Sequence, residues 1–96
     1  MEHMAFAREM ELKLKDLEAH VESLRARAAS LDADKKRDFY EHLTHIHSLR
    51  EEAQRRLQEL RKLADEADEG ARSSVEQGYQ SLWDYVENRV SPYFYH

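Results

Sequence analysis

The sequence predicts an all-α fold: a long antiparallel coiled coil or helical hairpin, closed by a short helix. Three observations lead there. Apolar residues recur at gaps of three and four over most of the chain, beginning Leu14, Leu17, Val21, Leu24, Ala28, Leu31 and continuing Phe39, Leu43, Ile46, Ala53, Leu57, Leu60, Ala64, Ala67. That spacing keeps them on one helical face, whereas a strand would need alternation. The composition is that of a long helix, with 36% charged residues, 9% aromatic residues and only three Gly and Pro positions in 96 residues. One convincing break stands between Asp65 and Ala71, where four acids crowd before Gly70.

The first helix is expected from about residue 5. Glu9, Lys13, Glu18 and Glu22 keep its outer face wet, and Leu14 to Leu31 form a heptad seam. From Ala28 the seam reads Leu31, Lys35, Phe39, Leu43, a stutter that a continuous helix absorbs by local unwinding. No Gly or Pro lies there, so the reading carries one long helix over about 5–67. The alternative is a three-helix bundle with a turn near 30–35, in which Asp32 or Asp34 caps a second helix. Arg50 interrupts the later seam, its stem along the groove and its head in water.

Acids at a helix C-terminus oppose its dipole, so Asp65, Glu66, Asp68 and Glu69 place a turn at about 65–71. Gly70 is expected to supply the turn conformation. A closing helix then runs over about 71–90 with Ala71, Val75, Tyr79, Leu82, Val86 and Val90 on one face. Pro92 is expected to stop it, leaving an aromatic tail over 91–96. The whole chain reads as a single helical domain.

Charge narrows the function. Before Asp65 the 13 Lys and Arg balance 13 Asp and Glu, so the net −5 sits in the last third. An acidic end repels phosphate backbones and anionic headgroups, so nucleic acid is excluded as a partner and a membrane is disfavoured. No apolar run reaches the length of a membrane span. The chain has no cysteine, which removes disulfides, thiolate metal sites and thiol nucleophiles and suits a cytoplasmic setting.

Asp38, His42 and His45 share a helical face at spacings of four and three, which makes them candidate metal ligands. Neither His-Glu-x-x-His nor Glu-x-x-His occurs, so the bland reading, a polar flank beside the seam, outweighs it. No serine sits in a nucleophile elbow and no glycine-rich loop is present, so no catalytic residue, enzymatic activity or cofactor is expected. Trp83, Tyr85, Tyr93, Phe94 and Tyr95 form the candidate partner-binding surface, against the plainer reading that they pack on the long helix. The seam of Leu14, Leu17, Val21, Leu24, Leu31, Phe39, Leu43 and Ile46 is too long for the closing helix to cover. Self-association as a homodimer is therefore expected.

Several segments resemble a family of small bacterial coiled-coil proteins, some described as stress-response proteins. The residues are Leu17-x-x-x-Val21-x-x-Leu24-x-Ala26-x-Ala28, Phe39-Tyr40-Glu41 with Leu43, Leu49-Arg50, Ala53-Gln54 and Leu57-x-Glu59-Leu60. Val75-x-x-Gly78-x-x-x-Leu82-Trp83-x-x-Val86 resembles the family's closing helix, with Arg72 where a second Trp is usual. The resemblance spans most of residues 5–90. It implies a helical protein, stress-related as some members are, and no site residues. The sequence thus points to a non-enzymatic coiled-coil module for self-association and protein interaction. A metal-binding helical protein and an amphipathic lipid- or granule-surface protein are the alternatives.

Overall fold

A computed structural model describes residues 2–63 and 69–94, with side chains from Met4 onward. Among these residues there is no strand, and only Leu31, Asp32 and Phe94 lie outside a helical turn. Helix α1 spans Glu2–Arg27, α2 Ala33–Leu63 and α3 Glu69–Tyr85.

The chain does not run as one helix through residues 28–35. Helix α1 tightens into a 3-10 turn at Ala28–Ser30, and Leu31 takes an extended conformation, φ −76° and ψ 152°. Asp32 then caps α2: its Oδ1 accepts the Lys35 N–H at 2.9 Å, and its carbonyl accepts the Lys36 N–H at 2.8 Å. The long helix over 5–67 is therefore corrected to two helices joined by a turn, the three-helix alternative. The physical reason is burial. A continuous helix leaves the α1 stripe in water, at roughly 1.5–3 kcal/mol per large side chain. A turn breaks a few backbone bonds and recovers about 1 kcal/mol through its cap.

Opposed contacts set the topology. Glu11 meets Arg61 and Glu18 meets Gln54, so α1 and α2 are antiparallel. Arg56 donates to the Ser74 carbonyl and His42 meets Tyr85, so α2 and α3 are antiparallel. Arg72 lies over the Phe6 ring and Lys13 over Tyr79, which makes α1 and α3 parallel. The result is an up-down-up bundle, 50 × 19 × 17 Å. Chain reversal thus falls between Leu63 and Glu69; residues 65–68 of the expected turn lie outside the described residues. Gly70 is not the turn residue expected, because it stands in the first turn of α3.

The stripe becomes one shared core. Leu14, Leu17, Val21 and Leu24 of α1 and Phe39 and Ile46 of α2 are buried, with Leu31 and Leu43 packed against them. The seam assigned to a second copy is therefore filled within the chain. The premise for that dimer, an uncovered seam, does not hold. Helices α2 and α3 stand close at Gly78, where an added Cβ would stand 3.4 Å from Ala53 Cα and 3.1 Å from Arg56 Cδ.

Pro92 does not end the helical path. A π turn follows α3 at Val86–Val90, with the Ser91 N–H donating to the Val86 carbonyl. A 3-10 turn, Ser91–Tyr93, then carries Pro92 at its start, where a missing N–H costs nothing. The wide turn replaces the α-helical path that the proline ring would obstruct. It also keeps both Val86 and Val90 in the core.

Two predictions follow from this packing. Leu24, 1% exposed, lies in the core of its own chain. Leu24→Ala should cost about 2–5 kcal/mol in denaturant unfolding. The loss should be the same at every protein concentration; a concentration-dependent loss would place the burial between chains. On α2, hydrogen bonds from Arg55 and Arg56 hold the Glu52 carboxyl at about 2, below its ordinary 4.5. A depressed carboxylate contributes stability above the unfolded value and loses it as pH falls from about 4.5 to about 2. A carbon-detected titration should give Glu52 a midpoint near 2, and an ordinary midpoint would show the arginine pair broken in solution.

Candidate functional site

Two regions gather the polar and aromatic side chains that helix packing does not consume. The first is the corner where α2 meets the end of α3. Tyr85 reaches back to α2, its hydroxyl 2.6 Å from His42 Nδ1, while the His45 ring lies over the Tyr85 ring at 4.5 Å and 31°. Tyr93 is tilted against His42 at 5.9 Å. Phe94 packs edge-on against Phe39 at 5.7 Å, with the Arg27 guanidinium 5.2 Å from its centre. Burial, then Asp38, Tyr85 and Glu41, push the Tyr93 phenol above its ordinary value, so it stays a neutral donor.

This corner uses most of the residues singled out from the sequence, for packing. Tyr85, Tyr93 and Phe94 are half-buried, while Trp83 is 39% exposed on α3. Tyr95 lies outside the described residues. Asp38, His42 and His45 do share a flank of α2, but His42 and His45 are turned onto Tyr85. No group of three or more His, Asp or Glu among the described residues is placed to hold a metal ion. The α1 face that a lipid surface would contact is buried in the core, and no helix among the described residues is long and apolar enough to cross a membrane.

The second region is a groove between α1 and α2. Its larger part, about 890 Å³, runs between residues 15–25 and 40–50, with Leu17, Val21, Ile46 and Leu82 beneath it. A trough of about 450 Å³ continues along residues 11–18 and 51–61, and Lys15 and Glu18 line both parts. The groove exists because the two seams of α2 differ. Toward α3, Ala53 and Gly78 let the backbones close. Toward α1, long polar and charged side chains span the gap. Gln54 donates to Glu18 at 3.0 Å, Arg50 Nε stands 3.8 Å from the same carboxylate, and Arg61 donates to Glu11 at 2.5 Å.

His47 faces this groove, away from His42 and His45. Arg50 can only donate, so its 3.1 Å contact makes His47 Nδ1 the acceptor. That places the ring proton on Nε2, which donates to Glu51 at 3.0 Å. Arg50 Nε is buried without a hydrogen-bond acceptor. The Glu18 carboxylate faces it at 3.8 Å, an ion pair longer than a hydrogen bond. The sequence reading missed the groove. Its one signal was Arg50, a charge standing where the seam called for an apolar residue.

The groove thus has an apolar floor between two charged walls. No protein-family model, curated protein or solved structure matches this chain.

The Tyr85–His42 bond gives this region its test. Tyr85→Phe should cost about 0.5–1.5 kcal/mol of stability and shift the His42 ring nitrogen resonances. Unchanged resonances would mean that the pair does not form in solution.

Proposed function

We propose that this chain is a non-enzymatic helical interaction module that recognises protein through the α1/α2 groove. The observation that carries the reading is the groove of about 890 Å³, with an apolar floor between charged walls. Binding a helix or another elongated surface between two antiparallel helices extends the bundle by the packing it already uses. A cytoplasmic setting belongs to this reading, supported by a chain without cysteine. The stress-related role rests on the sequence resemblance alone. The reading moves the contact surface from the aromatic end, whose rings are largely spent on packing, to the opposite flank of α2.

A photo-crosslinking residue tests the placement. Tyr40 lines the groove and is exposed, while Gln77 lies on the exposed side of α3. Inserted at Tyr40 in cells, the probe should yield discrete protein adducts; at Gln77 it should not. Adducts from Trp83 and none from Tyr40 would return the contact to the aromatic end. Adducts from no position would sink the reading.

A further inference from the structure

We infer that the occupant of the groove is a second copy of this chain, related by a two-fold axis along the groove. The inference rests on the groove reading above and names its partner. Charge carries it. The α1 wall holds Glu11, Glu18 and Glu22 against Lys15 and Arg25. The α2 wall holds Arg50, Arg55 and Arg61 against Glu51. The walls are therefore opposite in sign. A partner of uniform charge would suit one wall and be repelled by the other. A two-fold axis along the groove exchanges the walls, so the α1 wall of each copy faces the α2 wall of the other.

The rest of the surface points the same way. The chain carries 15 Lys and Arg against 20 Asp and Glu. The groove holds five of those cations and four of those acids, which leaves ten cations against sixteen acids elsewhere. Two copies repel through the remaining surface, and the groove is where that repulsion is absent.

Register follows from the bridges inside one copy. Glu11 stands level with Arg61, and Glu18 with Arg50 and Gln54. Under the two-fold, Glu22 of the second copy arrives at the level of His47 and Arg50, which sets a carboxylate beside the positive α2 wall. The four facing helices then alternate in direction, as in an antiparallel four-helix bundle. The groove runs roughly 20–30 Å along helices at 1.5 Å per residue. Across a bundle 19 Å wide, the face is on the order of 400–600 Å² per copy, the low end for specific interfaces. The pair should be weak and sensitive to salt.

Sedimentation equilibrium on the purified full chain, at low and high salt, reads the association directly. The wild type should move from monomer toward dimer over about 10 µM to about 1 mM, the weak range for so small a face, and salt should oppose it. Glu18→Lys with Glu22→Lys makes both walls positive. Arg50→Glu with Arg55→Glu makes both negative. Each variant alone should associate at least about tenfold more weakly, and mixing the two should restore a pair, because each wall then meets its opposite. Circular dichroism checks that both variants stay folded. If either does not, Glu22→Lys alone, at an exposed position with no bridge across the groove, should still weaken association. A wild-type monomer throughout overturns the inference, as do variants with unchanged mass or folded variants that fail to pair on mixing. A monomeric wild type with Tyr40 adducts to a different protein would overturn the second copy and leave the groove reading standing.

Discussion

The contact on which the rest depends is the burial of the α1 stripe by the chain's own α2. Phe6, Met10, Leu14, Leu17, Val21 and Leu24 are all buried, and an extended helix would leave them wet. At roughly 1.5–3 kcal/mol per large side chain, that burial exceeds the backbone bonds given up between Ala28 and Asp32. Once the chain turns there, α2 must run antiparallel to α1, and α3 must return along both. The Glu11–Arg61 bridge is a consequence of that reversal, and the His42–Tyr85 contact of the next one.

Because α2 is shared, its two flanks divide the work. Ala53 opposite Gly78 lets α3 come close, and close packing leaves no room between them. On the other flank Gln54, Arg50 and Arg61 reach across to α1. Such partly exposed charge pairs contribute little to stability. What they provide is a spacing, and the spacing is the groove. The bundle is thus close-packed along one seam and open along the other.

The end of α3 resolves a separate conflict. An α-helical path into Pro92 would set its ring against the preceding turn. The π turn at Val86–Val90 widens the path instead, keeps both valines buried, and delivers Tyr93 and Phe94 onto α2 and Arg27. Aromatic residues that looked available for a partner became the cap of this end of the core. Among the described candidates Trp83 is the exception, exposed on α3.

Helical class, the apolar face of each helix and the break before α3 were legible in the sequence, since three/four spacing and charge placement act within a few turns of one helix. The turn at Leu31–Asp32 was not. Ala, Lys and Asp over residues 28–36 accept either a helix or a cap, at a difference of about 1 kcal/mol. The deciding term is long-range burial, which joins residues such as Leu24 and Phe39 only after the chain has reversed. The candidate site was hidden for the same reason. His42, His45 and His47 are neighbours in sequence, yet two face Tyr85 and one faces Arg50. The groove needs two helices at a set distance. That distance depends on which side chains stand between them, and only the assembled bundle decides it.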